Sequence, residues 1–174
     1  MKIICISGKA RHGKDTCGNI FQGELLKRDH RVLVVHYGDL VKFICTNYFG
    51  WNGQKDEQGR GMLQRVGTDV IRNQDENFWV DEVARILKFF PNEWDYVLIP
   101  DARFPNEVSR LSEEYGFQVI HVRVHRPNFE SDLTPEQLLH PSETALDDVT
   151  PDFLINNTTL ENLVNQIISI CDKI

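Results

Sequence analysis

A glycine-rich run close to the start of the chain limits the possible folds more than any other feature. Residues 8–14 read GKARHGK and fit the spacing G-x-x-x-x-G-K of the phosphate-binding loop, or P-loop. An apolar, β-branched run at 1–6 predicts a buried strand before it, and apolar residues at helical spacing predict a helix over 14–28 after it. A strand, a glycine-rich turn and a helix start in this order turn backbone N–H groups toward one point, which predicts an anion site.

The charged side chains of this loop indicate a donor site for a nucleotide. Lys14 is expected to reach the β- and γ-phosphates of ATP, and Arg11 is a candidate for neutralising charge on the transferred phosphoryl group. Asp15 stands where the pattern usually has Ser or Thr, and Thr16 follows, which resembles loops of the adenylate-kinase type. That resemblance implies that Thr16 caps the phosphate or assists Mg²⁺. The residues expected to bind the ATP phosphates are Gly8, Arg11, Gly13, Lys14, Asp15 and Thr16. The alternative is a plain glycine-rich turn with solvated lysines.

Strands and helices alternate along the whole chain. Apolar runs predict strands at 1–6, 31–37, 94–99, 117–124 and 153–155, and helical periodicity predicts helices at 14–28, 40–49, 62–73, 78–89, 106–115 and 160–171. This alternation favours an α/β fold with a mostly parallel five-stranded sheet and right-handed crossovers. Ligands then bind at the carboxyl ends of the strands. The polar segments 50–61, predicted to be a loop, and 126–150 are expected to be inserts in a single domain over 1–174.

Composition narrows the class of protein. The 174 residues fit one domain, and 26 acidic against 19 basic residues give a net charge of −7, which argues against a surface that coats nucleic acid. No run approaches the ~18 apolar residues of a membrane span, and residues 1–7 are too short for a secretory leader. We therefore expect a cytoplasmic location. The four cysteines show neither metal-binding nor disulfide spacing. The expected partners are small-molecule nucleotides, with no membrane, and a homodimer is left open.

A second polar cluster, DARFPNE at 101–107, directly follows the predicted third strand. The apolar strand that ends in Asp101 is similar to a Walker B strand, which makes the Asp101 carboxylate a candidate metal ligand. Arg103 can bind a phosphate, and Glu107 can position the arginine. The alternative is an ion pair at a helix start, since asparagine and glutamate suit helix N-termini. The chain has no NKxD guanine motif, so a kinase fits better than a GTPase.

Four segments together resemble the motifs of the phage-type deoxynucleoside monophosphate kinases, an adenylate-kinase-like family of P-loop kinases. They are SGKARHGKDT at 7–16, DARFPNE at 101–107, HPSE at 140–143 and DFLINNTTLENL at 152–163. The resemblance implies a three-layer α/β/α fold and transfer of the ATP γ-phosphate, with Mg²⁺, to a deoxynucleoside monophosphate. His12 departs from the family, in which a small residue is common at that position. Phosphomevalonate kinases of the animal type have a similar loop, so the acceptor is less specified than the donor.

The resemblance also implies that an insert at 39–93 binds the acceptor. On that basis the monophosphate-binding candidates are Asp39, Lys42, Gln64, Arg65, Thr68, Arg72, Trp79, Asp101, Arg103 and Glu107. Arg65 or Arg72 can hold the 5′-phosphate with two parallel hydrogen bonds, and Gln64 can bind a base edge. Trp79 aligns with a substrate-binding tryptophan of the family and can stack on the base or sugar. The alternative is a solvated charged face beside a core tryptophan.

The segment 126–150 corresponds to the lid of the resembled fold. We expect it to be mobile without ligand and to close when both nucleotides bind, because closure excludes water from the transferred group. Arg126, at the root of this segment, is expected to reach the transferring phosphoryl group, so the catalytic candidates are Lys14, Arg11 and Arg126. The alternative for Arg126 is surface charge at a strand end.

The loop before the last helix is a candidate for the adenine side. The resemblance implies that Asn156 and Asn157 border the adenine. The alternative is helix capping alone, by Thr158 or Thr159.

The sequence is therefore compatible with three functions. The first is an ATP-dependent kinase of deoxynucleoside monophosphates. The second is a kinase of another small phosphorylated metabolite, of the phosphomevalonate type. The third is a nucleotide-binding regulator without turnover, which the presence of Lys14, Asp101 and several arginines argues against.

Overall fold

The computed structural model describes residues 1–127, 129–131 and 133–174 of the chain. The strands in this part are β1 Lys2–Ser7, β2 Val32–Val34, β3 Tyr96–Ala102, β4 Gln118–His125 and β5 Phe153–Asn156. The α-helices are α1 Lys14–Leu26, α2 Tyr37–Phe49, α3 Glu57–Gln64, α4 Phe78–Phe89, α5 Asn106–Glu113, α6 Pro135–Leu139, α7 Pro141–Thr144 and α8 Leu160–Cys171. A π-helix, Arg65–Arg72, follows α3. None of the described helices combines the length and the apolar character that crossing a membrane requires.

The five strands form one parallel sheet in the order β2-β3-β1-β4-β5. Parallel strands all end at the same edge of a sheet, so the segments that follow them meet there. At this carboxyl edge Gly8 follows β1, Arg103 follows β3, Arg126 follows β4 and Asn157 follows β5. The predicted α/β fold with a parallel five-stranded sheet is confirmed, and its topology brings the sequence motifs to one edge.

Alternation along β1 divides the core into two halves. Ile4 and Ile6 pack on the face that α1 and α8 cover, and Ile3 and Cys5 pack on the face that α4 and α5 cover. All four side chains are fully buried, as expected of a central strand in a sheet that is covered on both faces. The structure therefore has the three layers that the resemblance implies.

Strand β3 continues past the point where the sequence predicts its end. The predicted strand stops before Pro100, whereas the observed strand runs to Ala102. Its pairing with β1 shifts by one residue between Ile99 and Ala102, so β3 carries a bulge at this point. A bulge accommodates a proline, which has no N–H to donate to the sheet. The predicted end was wrong, and the longer strand carries Arg103 to the carboxyl edge.

The glycine-rich segment 50–61 also differs from its prediction as a loop. Its last part is helical, because α3 begins at Glu57 and the Asp56 side chain accepts the Gly59 N–H at 2.7 Å as an N-terminal cap. A Cβ at Gly59 would lie 2.0 Å from the carbonyl oxygen of Gln54. Gly59 therefore permits close packing inside a helix, whereas the composition of segment 50–61 indicates a flexible loop.

Candidate active site

The P-loop connects β1 to α1 through three residues with positive φ. These are Gly8 with φ +149°, Arg11 with φ +60° and Gly13 with φ +98°. A Cβ at Gly8 would lie 2.4 Å from the carbonyl oxygen of Val124, and a Cβ at Gly13 would lie 2.6 Å from Asn157 Nδ2. Both positions require glycine for conformation and for space. The loop thus turns directly into the N-terminus of α1, as an anion site requires.

Lys14 lies across the P-loop. Its Nζ atom donates to the carbonyl oxygens of Gly8, at 2.7 Å, and of Lys9, at 3.0 Å. Burial, reinforced by the positive charge of Arg103, lowers the pKa of Lys14 to about 8. Both hydrogen-bond partners are neutral oxygens, and a phosphate is a stronger partner for an ammonium group. The Lys14 ammonium group is therefore placed to exchange its hydrogen bonds to these carbonyl oxygens for hydrogen bonds to an anion. Arg11, Asp15 and Thr16 have exposed side chains beside it.

A carboxylate from α7 joins the P-loop to Arg103. Glu143 Oε2 accepts the Ala10 N–H at 2.8 Å, and Glu143 Oε1 accepts from Arg103 Nη1 at 2.5 Å. Arg103 Nη1 also donates to the carbonyl oxygen of Ser142 at 3.3 Å. The HPSE segment of the family resemblance places Glu143 and His140 near the donor or the lid hinge and assigns Glu143 no specific contact. Arg103 and the P-loop are thus brought together as predicted, and Glu143 is the residue that connects them.

The second half of the expected lid is attached to the core. Asp147 accepts from Lys9 Nζ at 3.1 Å and also from Arg123, and Arg123 donates to the carbonyl oxygen of Leu146. Residues 140–147 therefore lie against the P-loop and β4. Two residues of the expected lid, Asn128 and Asp132, lie outside the described residues.

Arg126 begins the expected lid at the end of β4. Its guanidinium lies over the Phe129 ring, 4.9 Å from the ring centroid, and its backbone N–H donates to His12 Nδ1 at 3.2 Å. His12, the position that departs from the family, is nearly buried and contacts the His125 ring edge to face at 5.6 Å. Burial, with the nearby charge of His125, lowers the pKa of His12. The Arg126 side chain is exposed, and His12 ties its backbone to the P-loop.

Asp101 is attached to the start of α2. Its Oδ1 accepts the Tyr37 N–H at 3.0 Å and its Oδ2 accepts the Gly38 N–H at 2.8 Å. These are N–H groups of the first helical turn, which have no partner within the helix. Burial raises the pKa of Asp101. Asp101 therefore holds the acceptor insert to β3, and a metal ion would have to share oxygens that already accept two hydrogen bonds.

Glu107 and Arg72 form a buried link between α5 and the π-helix. Glu107 Oε2 accepts the N–H groups of Arg103, at 2.6 Å, and Phe104, at 3.1 Å, and its Oε1 accepts from Arg72 Nη2. Arg72 Nη1 also donates to Asn106 Oδ1 at 3.1 Å, and its guanidinium stacks 3.8 Å from the centroid of the Phe104 ring. The structure thus joins two predicted acceptor residues to each other, and Arg72 is occupied by protein partners.

Trp79 lies in the core. Its side chain is 4% exposed, and its Nε1 donates to the carbonyl oxygen of Gly67 at 2.8 Å. The ring packs edge to face on Phe78 at 4.9 Å. Stacking of Trp79 on a base would require the π-helix to move, so the observed position matches the alternative of a core tryptophan.

The remaining acceptor candidates are spread over α2, α3 and the π-helix. Asp39 Oδ1 accepts from Lys42 Nζ at 2.7 Å, and Asp39 Oδ2 lies 3.3 Å from His36 Nδ1. His36 Nε2 lies 3.9 Å from Asp15 Oδ1, so α2 begins close to the start of α1. Sequence reasoning does not identify His36. Gln64 and Arg65 are exposed and Thr68 is half-buried.

The asparagines before α8 support the P-loop. Asn157 Nδ2 donates to the carbonyl oxygen of His12 at 2.9 Å, and the Asn156 backbone exchanges hydrogen bonds with the Gln166 side chain. The Thr159 side chain caps α8 by accepting the Asn162 N–H at 3.1 Å. Thr159, one of the two predicted capping residues, is thus the cap.

The protein oxygens near the P-loop fit Mg²⁺ in the way that ion is usually bound. In the described part of the chain, no three His, Cys, Asp or Glu side chains lie close enough together to hold a metal ion. Mg²⁺ usually keeps several waters and binds one or two protein oxygens together with substrate phosphates. The exposed Thr16 hydroxyl and the exposed Asp15 carboxylate at the start of α1 meet that requirement.

Comparison with known proteins gives a family match and two viral relatives. A family model described as deoxynucleotide monophosphate kinase matches residues 38–167, a range that begins after the P-loop. A protein of Acanthamoeba polyphaga mimivirus, named as a candidate deoxynucleotide monophosphate kinase, is 33% identical over 66% of this chain and 61% of its own length. The deoxynucleotide monophosphate kinase of enterobacteria phage T4 is 33% identical over 62% of this chain and 43% of its own length. The chain thus spans less than two thirds of the length of both relatives.

More distant proteins share the fold. A phosphomevalonate kinase of Drosophila melanogaster is 28% identical over 98% of this chain and 94% of its own length. The APS kinase of Mycobacterium tuberculosis in complex with AMPPNP and APS has a TM-score of 0.55 at 13% identity, covering 98% of this chain and 95% of that one. A sugar kinase from a Janibacter species has a TM-score of 0.56 at 15% identity, with 98% and 94% covered. At these identities the two solved structures show the fold alone.

Proposed function

This chain belongs to the deoxynucleotide monophosphate kinase family, and we propose that it transfers the γ-phosphate of ATP to a deoxynucleoside monophosphate. The products are the deoxynucleoside diphosphate and ADP. One observation carries the proposal: the P-loop, with Lys14 across it, lies beside Arg103, which Glu143 joins to the loop. Cationic groups for a donor phosphate and for an acceptor phosphate thus meet at one edge of the sheet.

The proposed reaction is a displacement at the γ-phosphorus. An oxygen of the acceptor phosphate forms a bond to the γ-phosphorus, and the bond from that phosphorus to the ADP oxygen breaks. The acceptor oxygen is already ionised, so no general base is required. The work of the protein is to position the two phosphates and to stabilise the charge that develops between them.

We assign the donor side to the P-loop and α1. The backbone N–H groups after Gly8 and the N-terminus of α1 bind the phosphates, and Lys14 donates to the β- and γ-phosphate oxygens. Thr16 and Asp15 would hold Mg²⁺ here, and the ion would supply positive charge beside the phosphate oxygens. Arg11 and Arg126 remain candidates for contacting the transferred group.

We assign the acceptor phosphate to Arg103. The rest of the acceptor lies toward α2 and the π-helix, where Asp39, Lys42, Gln64, Arg65 and Thr68 have side chains that are at least partly exposed. Arg72, Asp101 and Glu107 hold this region to the sheet, and we propose that they shape the pocket through those contacts.

The test is a coupled assay of ADP release. The chain, with ATP and Mg²⁺, is offered each deoxynucleoside monophosphate, each ribonucleoside monophosphate and phosphomevalonate in turn, with Lys14→Ala as the inactive control. We expect ADP release with at least one deoxynucleoside monophosphate and a loss of about 100-fold or more in the variant. Release with phosphomevalonate alone would assign the second function, and ADP release independent of any acceptor would make the protein an ATPase.

A further inference from the structure

Glu143 forms a bridge between two groups that bind anions in the proposed function. Each oxygen of its carboxylate accepts from a different donor, Oε2 from the Ala10 N–H at 2.8 Å and Oε1 from Arg103 Nη1 at 2.5 Å. The side chain is 7% exposed, so these contacts are shielded from water. A shielded, charge-assisted pair is geometrically well defined.

The backbone that carries Glu143 is attached independently of Arg103. Asp147 accepts from Lys9 and Arg123, and Arg123 also donates to the carbonyl oxygen of Leu146, a buried residue. His140 caps α7 by accepting the Ser142 N–H at 3.2 Å. The carboxylate is thus brought to its position by the contacts of the segment around it.

Arg103 is held at both ends by carboxylates. Glu107 accepts its backbone N–H at 2.6 Å, and Glu143 accepts from Nη1 of its guanidinium. Within the described part of the chain, Nε and Nη2 have no hydrogen-bond partner, and the side chain is 38% exposed. We propose that Glu143 is a positioning residue, which fixes the inner edge of the Arg103 guanidinium so that the outer edge binds the acceptor phosphate. This inference rests on the proposed function.

The experiment compares Glu143→Gln with Asp148→Asn. Both variants remove one negative charge from the same segment, but the Asp148 side chain is exposed, whereas Glu143 accepts from Ala10 and Arg103. We expect Glu143→Gln to lower kcat/KM for the acceptor by roughly 10- to 100-fold, because the amide keeps only one acceptor oxygen for two donors, with a change of about threefold or less in KM for ATP. Asp148→Asn should leave the acceptor kcat/KM near the wild-type value.

A third variant separates position from charge. Glu143→Asp keeps the charge but shortens the side chain by one methylene, so it should also lose acceptor affinity. Thermal unfolding of each variant checks that it is folded. If Asp148→Asn reproduces the loss, the negative charge of the segment explains it and the proposal fails. Tighter ADP binding by Glu143→Gln with unchanged acceptor affinity would make Glu143 a competitor of phosphate and would also overturn it.

Binding measurements keep this inference distinct from the proposed function. Calorimetry with ADP and with a deoxynucleoside monophosphate at pH 7 requires no turnover. A wild-type protein that binds no deoxynucleoside monophosphate contradicts the proposed function itself. Equal affinity of the wild-type protein and Glu143→Gln for the acceptor contradicts the positioning role alone.

Discussion

Lys14 is a largely buried cation that the folded protein holds without an anionic hydrogen-bond partner. Burial and Arg103 lower its pKa from an ordinary value of 10.5 to about 8, so between these values the unfolded chain holds a proton that the folded chain has lost. Stability should therefore rise with pH across this window. We expect Lys14→Met to raise the free energy of unfolding at pH 7 by about 1 to 2 kcal/mol, since a neutral side chain avoids the desolvation but loses two hydrogen bonds. Urea unfolding at pH 7 and pH 9 measures this, and a gain that is equal at both values would contradict desolvation of the ammonium group as the cause.

Arg103 is the residue whose geometry matters more than its charge. In Arg103→Lys the charge is kept, but one side chain can no longer bond Glu143 on one edge and a phosphate on the other. We expect affinity for the deoxynucleoside monophosphate to fall by roughly 10- to 100-fold while affinity for ATP stays within about threefold. Calorimetric titration with each nucleotide separately measures this. Weakened ATP binding with unchanged acceptor binding would place Arg103 on the donor side.

The residues of the site differ in how far sequence can identify them. The P-loop residues are contiguous, and their chemistry depends on local backbone, so Gly8, Gly13 and Lys14 can be predicted from spacing alone. Glu143 contacts Arg103 across 40 positions, and its partner at Ala10 is a backbone N–H that no motif displays. Such contacts depend on the packing of a polar segment onto the sheet edge, which neither periodicity nor composition predicts.

The ends of the helices and strands also differ in how well the sequence predicts them. Helices α4 and α8 begin and end where periodicity predicts, at Phe78–Phe89 and Leu160–Cys171, because their apolar faces pack on the sheet. Strand β2 is shorter than its apolar run, since the end of that run, Tyr37, begins α2. The Asp101 carboxylate, which lies on β3, stabilises the start of α2. Tertiary contacts of this kind determine where helices and strands end, so the propensities of single residues place some of these ends wrongly.

Two glycines allow a test of what the P-loop turn requires. Gly8 has positive φ and no room for a Cβ beside Val124, so Gly8→Ala should destabilise the fold by about 2 kcal/mol or more and abolish ATP binding. Gly23 lies inside α1, and a Cβ added there would have nothing within 4 Å, so Gly23→Ala should stabilise the protein by about 0.5 to 1 kcal/mol. Chemical denaturation of both variants gives the two free energies. Equal and small effects would mean that the loop tolerates a Cβ by moving.

The buried pair of Arg72 and Glu107 joins the π-helix to α5. Both side chains are less than a tenth exposed, so Arg72→Met leaves a buried carboxylate without its cation. We expect this variant to lose about 3 to 5 kcal/mol of stability. Arg85→Met provides the matched control, because the pair of Arg85 and Glu82 is exposed and should contribute about 1 kcal/mol or less. Denaturation curves that give similar losses for the two variants would contradict a structural role for the buried pair.

Over the whole molecule, charge is distributed unevenly. The chain carries a net charge of −7, yet Lys9, Lys14, Arg103, Arg123 and Arg126 all lie at or next to the carboxyl edge of the sheet. Glu143 and Asp147 neutralise part of this cluster from the segment that lies over it. A cationic edge of this kind attracts anionic ligands to a molecule whose overall charge repels them.

The expected lid can now be divided into two parts with different behaviour. Residues 140–147 are bonded to the P-loop and β4, whereas α6, Pro135–Leu139, has no buried residue. We expect backbone amides of 133–139 to exchange with solvent rapidly in the free protein, and those of 140–147 to be protected already. An analogue that joins adenosine to a deoxynucleoside through a chain of phosphates should slow exchange in 133–139, because closure over both nucleotides excludes water from the reacting phosphates.

Hydrogen exchange with mass spectrometry, with and without this analogue, measures both parts of the lid. Asp147→Asn serves as the control for attachment, and it should increase exchange in 140–147 of the free protein because it removes the negative charge and leaves one acceptor oxygen for two donors, Lys9 and Arg123. If the analogue protects the P-loop and leaves 133–139 unchanged, the segment does not close over the site.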